Sequence, residues 1–323
     1  MRLQHILLEP NKQEYIIKSK QKLTPKKELK FYTLNNNVEI HYKYINDKTF
    51  KMTNKIPVDK PTHLLYELSG NRENTIICGD LKNKNVIFQS YKSKKGIEKQ
   101  LEKIKKEWLD LNPNTTYQFF DDLDCIDFLD RYFDEYFVDI FKSIPQGSIK
   151  CDFWRLCILY IFGGTYADID FVPYKSLDKI VENQDFVGVV DMSHRVMFNA
   201  FIYSKNRNPI LLDAILRFLE IDVKNIKWTI GAFQSCYDLL YSVKGHIIDE
   251  DPQKIIPHIL LNGVYKKNKV KIIQEVLCGD NVYEWYVIDN GEKVFKSRRD
   301  DYDYKTHKFI DKEKDCLITQ SKS

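Results

Sequence analysis

The residues best placed to do chemistry fall in two short sets that lie close together in the chain. The first is Asp152-Phe153-Trp154-Arg155, and the second is Gly163-Gly164-Thr165-Tyr166-Ala167-Asp168-Ile169-Asp170. Asp168 and Asp170 are two apart, a spacing that on a strand turns both carboxylates to one face. Paired hard oxygen donors suit magnesium or manganese, which take one or two carboxylates and complete their shells with water and substrate phosphates. The flanking Tyr166, Ala167, Ile169, Phe171 and Val172 are apolar or aromatic. Carboxylates set among such neighbours need a partner, and a divalent cation is a natural one. A cation held there would neutralise charge gathering on a departing diphosphate. Asp152 and Arg155 are three apart, so on a helix they share a side. Either they pair with each other, or they meet hydroxyls and phosphate, for which a carboxylate and an Arg fork are suited.

The elements around these residues can be read from periodicity. Gly147 to Phe162 predicts a helix with Ile149, Phe153, Leu156, Tyr160 and Ile161 on one face. Gly163-Gly164 ends it, because glycine accepts the left-handed conformation common at helix C-termini. A short strand ending in Asp-x-Asp then returns. Upstream, Val86-Ile87-Phe88-Gln89 reads as a buried strand. Gly96 to Leu111 reads as a helix carrying Ile97, Leu101, Ile104, Trp108 and Leu111 at three- and four-residue steps. Asn112-Pro113 stops that helix. Thr115–Phe120 is β-prone, and Asp121–Tyr136 predicts one or two short acidic helices. Downstream, Asp185–Val190 and Asn199–Tyr203 read as strands and Pro209–Glu220 as a helix. Trp228–Phe233 reads as a loop followed by a helix to Tyr241. The chain from Tyr283 onward is β-prone and then strongly charged. Strand and helix alternate, which argues for an α/β layer with a largely parallel sheet.

Residues 1–84 differ. They alternate short β-prone runs, Tyr15–Ile17, Val38–Tyr42 and Thr75–Cys78, with polar stretches. The six lysines between Lys18 and Lys30 read as a solvated loop or edge, with an anion-binding patch as the alternative. The expected division is a strand-rich extension over 1–84 and one larger domain over 85–323, with its motif core at 85–240.

With 323 residues, 43% of them apolar, the chain can build a substantial core. Charged residues make up 30%, but the net charge is only +4, so no nucleic-acid partner is expected. No apolar run approaches the ~18–20 residues that span a bilayer, and the N-terminus lacks the apolar core and cleavage site of a secretory signal. The seven cysteines, 78, 125, 151, 157, 236, 278 and 316, include no C-x-x-C pair. They read as reduced thiols, so a cytoplasmic protein is expected, in the host cytoplasm if the source is viral. A phosphate loop of the G-x-x-x-x-G-K-[ST] or G-x-G-x-x-G type is absent from the sequence.

The stretch Ile149 to Arg155, followed by Leu159-Tyr160-Ile161-Phe162-Gly163-Gly164-Thr165-Tyr166-Ala167-Asp168-Ile169-Asp170, resembles the DXD-containing sugar-binding region of glycosyltransferase family 32. That family includes initiating α-1,6-mannosyltransferases and capsular polysaccharide glycosyltransferases, with the clostridial glucosylating toxins as distant relatives. Its usual form is Ser-Asp-x-x-Arg, then Leu-Tyr-x-x-Gly-Gly-x-Tyr-x-Asp-x-Asp, and Cys151 stands here where serine is common. Val86 to Tyr91 is similar to the family's opening strand, which commonly ends His-Gln-x-Trp, with Phe88 and Tyr91 replacing His and Trp. Asn112-Pro113 through Tyr117 to Asp121-Asp122, and Asn199 to Ile202 with Pro209, look like further family blocks.

The resemblance implies a GT-A type, Rossmann-like mixed sheet flanked by helices, and hexose transfer with retention from a nucleotide-sugar, UDP-sugar before GDP-mannose. The acceptor would be a hydroxyl on a glycan or protein, and the cofactor manganese or magnesium. Carried over by position, Asp152 and Arg155 contact the donor sugar or ribose. Asp168 contacts ribose or sugar near the metal, and Asp170 ligates it. Gln89 and Tyr91 belong to the donor site, Tyr91 by base stacking. A further ligand is expected near the C-terminus, with His307 the candidate and Asp301 and Asp303 behind it. Lys296, Arg298 and Arg299 read either as a diphosphate clamp or as a solvated basic cluster. Asn199 is a candidate for lining the acceptor side. The rival reading is a non-catalytic nucleotide-sugar-binding module on the same fold.

Overall fold

The computed structural model describes residues 3–19, 22–23, 28–34, 38–68, 85–191, 196–222, 239, 243, 269–278, 284–303 and 308–309. The N-terminal strands are β1 (Gln4–Leu8), β2 (Glu14–Lys18), β3 (Leu29–Tyr32), β4 (Ile40–Asn46), β5 (Thr49–Asn54) and β6 (Thr62–Leu68). Then come β7 (Val86–Ser90), α1 (Glu98–Leu111), β8 (Thr116–Phe120), α2 (Asp122–Tyr132), α3 (Glu135–Ser143), α4 (Gly147–Phe162) and β9 (Gly164–Ala167). Next are β10 (Val172–Pro173), α5 (Leu177–Val181), β11 (Phe186–Val190), β12 (Met197–Ser204) and α6 (Pro209–Leu219). The remaining strands are β13 (Val270–Cys278), β14 (Glu284–Asp289), β15 (Glu292–Lys296), β16 (Tyr302–Asp303) and β17 (Lys308–Phe309). Among the described residues, no helix is long and apolar enough to cross a membrane.

Contacts divide the chain into two compact units. One comprises residues 1–83, 123–162 and 206–246; the other comprises 84–122, 163–205 and 247–323.

In the first unit, two three-stranded sheets, ordered β1-β6-β3 and β2-β5-β4, enclose a core that includes Leu8, Phe50, Met52, Leu64 and Tyr66. β5 alternates half-buried and buried residues along its length, the period-two pattern of a strand with one face on a core. Helix α4 is buried on nearly every side, Asp152 to Ile161 included. A helix without a polar face belongs inside a core. Phe133, Phe137, Phe153 and Phe218 run through this helical core in sequence, with ring centroids 4.5, 5.6 and 4.9 Å apart. α6 begins at Asn208, whose side chain accepts from the Ile210 N–H at 3.0 Å, with Pro209 at the first helical position.

The second unit is built on a nine-stranded sheet ordered β10-β15-β14-β13-β11-β12-β9-β7-β8. β7 runs parallel to β8 and β9, and β11 parallel to β13. β12 lies antiparallel between β9 and β11, so β7, β8, β9, β11 and β13 all end at one edge. The sheet is mixed rather than largely parallel, because β12, β14 and β15 return next to their predecessors as antiparallel neighbours. One face packs Ile87, Ala167, Phe201, Val189, Ile273 and Val287 against Ile104 and Trp108 of α1. Complete burial of a side chain such as Ile104 stabilises by about 1.5–3 kcal/mol. α1 stops at Asn112 as expected: its amide donates to the Trp108 carbonyl at 2.8 Å and its oxygen accepts from the Leu177 N–H at 2.7 Å.

The elements anticipated over 86–120, 147–162, 186–204 and 209–219 are present within a few residues. Residues 121–136 fall in two helices, within the one or two expected, and the second runs on to Ser143. β13, a nine-residue strand in mid-sheet, was not anticipated although its Val-Lys-Ile-Ile-Gln-Glu-Val-Leu run is rich in β-branched residues. The β-prone run at 75–78, the loop at 228–233 and most of the helix to Tyr241 lie outside the described residues.

Candidate active site

In an open α/β sheet, ligands bind outside the carboxyl ends of the parallel strands. That edge of the second unit collects Gln89 near the end of β7 and Tyr91 just after it, Asp168 and Asp170 after β9, and Asp191 after β11.

The Asp-x-Asp motif does not lie on a strand. β9 ends at Ala167. The Asp168 N–H makes a last cross-strand bond to the Ala200 carbonyl at 2.7 Å, and the Phe171 N–H closes a turn onto the Asp168 carbonyl at 3.0 Å. Both carboxylates are half-buried on that turn, Asp168 between buried Ala167 and Ile169 and Asp170 between buried Ile169 and Phe171. The alternation rule for strands therefore does not set their direction; the turn does.

Two side chains hold Asp168, and a third holds one of them. Tyr166, two residues earlier, donates its hydroxyl to Asp168 Oδ1 at 2.8 Å. The completely buried Gln89 donates Nε2 to the Asp168 carbonyl at 2.9 Å. Tyr117 donates to Gln89 Oε1 at 2.7 Å. A buried amide left unpaired would cost about 1–3 kcal/mol, so Gln89 is well satisfied only while this turn is formed. β9 can sit beside β7 because it begins with glycine. At Gly164, with φ +104°, a Cβ would meet the Val86 carbonyl oxygen at 2.8 Å.

Tyr91 follows β7 and is half-buried, its N–H bonded to the Phe120 carbonyl at 3.1 Å. Its ring lies 6.1 Å from Phe309, and Phe309 meets Tyr302 edge-on at 5.1 Å. Burial, followed by the neighbouring Tyr91, Asp170 and Asp168, holds the Tyr302 phenol well above the ordinary tyrosine range. Tyr302 is thus a neighbour of both motif carboxylates. Sequence reasoning had fixed on its acidic neighbours Asp301 and Asp303 and missed it; the signal was an aromatic inside a polar run.

The C-terminal residues are placed differently from expectation. His307 lies outside the described residues. Asp301 accepts from Lys103 at 2.6 Å and from Arg299 Nε at 3.0 Å, which commits it to ion pairs. Arg299 is buried and bidentate on Glu107, at 2.7 and 3.0 Å. Lys296 is buried against Glu284 and Asp300, at 3.2 and 2.9 Å. Neither is a solvated cation. Of the three basic residues Arg298 alone is exposed, with its guanidinium 5.2 Å from the Trp285 ring centroid. Asn199 is buried on β12.

Asp152 and Arg155 lie in the first unit, both buried on α4, with Arg155 Nη2 3.3 Å from Asp152 Oδ1. Arg155 Nε also donates to the Cys151 carbonyl at 3.3 Å. The structure thus brings Asp152 and Arg155 together, and separately brings Gln89, Tyr91, Asp168 and Asp170 to one sheet edge. Among the described residues, no three His, Cys, Asp or Glu gather at metal-binding distance. Two carboxylates on one turn nonetheless fit a cation that takes its other ligands from a diphosphate.

Residues 98–187 match the family described as glycosyltransferase sugar-binding region containing DXD motif. Among curated proteins, the initiation-specific alpha-1,6-mannosyltransferase of Candida albicans is 23% identical over 207 residues, which is 62% of this chain and 49% of the relative. The putative glycosyltransferase HOC1 of Saccharomyces cerevisiae is 24% identical over 158 residues, 42% of this chain and 39% of the relative. The chain therefore spans less than half the length of either. Among solved structures, the PaToxG glycosyltransferase aligns over 51% of this chain and 70% of its own, with TM-score 0.39 and 14% identity. A second transferase aligns over 51% and 86%, with TM-score 0.28 and 13% identity. The turn bearing Asp168 and Asp170 lies within the residues that match this family description.

Proposed function

We propose that the protein is a metal-dependent, retaining glycosyltransferase that moves a hexose from a nucleotide-sugar to a hydroxyl acceptor. The observation that carries this reading is the Asp168–Asp170 turn at the carboxyl edge of the sheet, its first carboxylate oriented by Tyr166 and its backbone by Gln89. Asp168 and Asp170 would hold manganese or magnesium. When bound, the ion supplies charge neutralisation at the diphosphate. Tyr91 would stack on the base, and Asp152 and Arg155 would contact donor sugar or ribose, as the family resemblance implies.

In the transfer, the bond from the anomeric carbon to the diphosphate oxygen breaks, and its electron pair leaves with the diphosphate. The acceptor oxygen bonds to the same carbon from the same face, and its proton ends on the diphosphate. Such a path needs no strong protein base, and none is assigned. A UDP-sugar is the first donor to test. A mannosyl donor is the second reading, favoured by the likeness to a protein named as an α-1,6-mannosyltransferase. Cytoplasmic residence is part of the proposal.

The test is a donor panel of UDP- and GDP-sugars with manganese or magnesium, following release of nucleotide. The expected result is metal-dependent release from one donor, abolished by Asp170→Ala. Full turnover in that variant would remove the metal assignment. Donor binding without any turnover would support the binding-module reading.

A further inference from the structure

The sheet edge that bears the Asp-x-Asp turn continues past it. β11 and β13 lie two and three strand spacings from β9 in the order β9-β12-β11-β13, about 10 and 14 Å away. At this end Val190 pairs with Gln274, so the next residues, Asp191 and Glu275, fall side by side. Ile273 and Val287 belong to the core face, and alternation puts Glu275, Leu277 and Trp285 on that same face. Leu277 pairs with Trp285, and the Ser297 N–H bonds the Trp285 carbonyl at 2.9 Å.

The side chains there form a mixed group. Glu275 is 8% exposed and accepts from the Ser297 hydroxyl at 2.6 Å. Burial pushes its carboxyl up, Ser297 and Arg298 work against that, and Asp191 adds to it. Arg298 is exposed and lies over the half-buried Trp285 ring. Leu277 is 37% exposed, an apolar side chain left open beside that ring. A flat aromatic surface beside carboxylates, a hydroxyl and a guanidinium matches a pyranose, which has an apolar C–H face and a rim of hydroxyls.

Resting on the transferase reading above, we infer that Glu275, Asp191, Ser297, Arg298, Trp285 and Leu277 form the acceptor subsite and that the acceptor is a sugar. Glu275 and Asp191 accept from ring hydroxyls, Trp285 and Leu277 cover an apolar face, and Ser297 orients the Glu275 carboxyl. The offset of two to three strands from Asp168 leaves room for a donor sugar between turn and acceptor.

The experiment titrates the full chain with the methyl glycosides of mannose, glucose, galactose and N-acetylglucosamine, read by saturation-transfer NMR in buffer holding diamagnetic magnesium with UDP and, separately, with GDP. At least one glycoside should bind saturably. Glu275→Gln should weaken it about tenfold or more, the loss expected for a hydrogen bond to a charged group. Ser297→Ala should weaken it less, and Trp285→Ala should abolish it. Unchanged thermal unfolding in Glu275→Gln and Ser297→Ala separates a binding role from a structural one. Binding of no glycoside, or equal binding by wild type and Glu275→Gln, overturns the inference, as does transfer to peptide hydroxyls alone. If a glycoside binds as expected but the donor panel shows no turnover, the sugar subsite stands and the transferase reading falls.

Discussion

Lowering the pH should destabilise the first unit through one histidine. His5 lies on β1 with its Nε2 2.9 Å from His63 Nδ1 and its ring stacked on Tyr136, with centroids 3.7 Å apart. Its backbone N–H is bonded to the Asp134 carboxylate. Burial first, and His63 second, lower its pKa from 6.5 to about 3. His63 is lowered too, by burial against the opposing charge of Glu220. Below pH 6.5 the unfolded chain takes up a proton at His5 that the folded chain refuses. Stability therefore falls with pH from 6.5 downward and levels off near 3. Each pH unit in that window costs about 1.4 kcal/mol, so pH 5 costs about 2 kcal/mol relative to pH 7.5. For a unit of this size that is a drop of about 4–8 °C in unfolding temperature. His5→Phe keeps a ring on Tyr136 and removes the proton site. Differential scanning fluorimetry across pH 4.5–7.5 should show a wild-type curve steeper than the variant's. Parallel curves would refute the reasoning, since every other titrating group is common to both.

Three further outcomes test the site and its supports. Gly164→Ala places a Cβ against the Val86 carbonyl at a left-handed φ and should cost about 2 kcal/mol or more, seen as a lower unfolding temperature. Gln89→Leu removes the bonds to the Asp168 carbonyl and Tyr117; nucleotide release from the preferred donor should slow about tenfold without loss of fold by circular dichroism. Glu107→Gln leaves buried Arg299 with Asp301 alone and should cost about 3 kcal/mol in a denaturant titration; an unchanged midpoint would show that this pair is not needed to hold the segment before Tyr302.

Local periodicity and glycine chemistry carried much of the fold. α4 was readable over Gly147–Phe162 because its apolar residues recur at helical steps and two glycines end it. The identity of the metal-binding candidates was readable too, because Asp-x-Asp beside Tyr166 is a statement about residue types. What only the tertiary structure decided is where long-range pairing sends those residues. A turn closed by the Phe171 N–H on the Asp168 carbonyl takes Asp168 out of the strand, just past its last cross-strand bond to Ala200. Glu107 and Glu284, distant in sequence from Arg299 and close to Lys296 only across a hairpin, convert an apparent basic cluster into internal ion pairs. Tyr302, more than a hundred residues away in the chain, lies near enough to feel the charge of both motif carboxylates. Residues 123–162 and 206–246 join the N-terminal strands rather than the sheet that follows them. A sequence pattern records the period with which a segment can bury one face. It does not record which distant surface that face will meet, and charge neutralisation and side-chain direction at the site follow from that meeting.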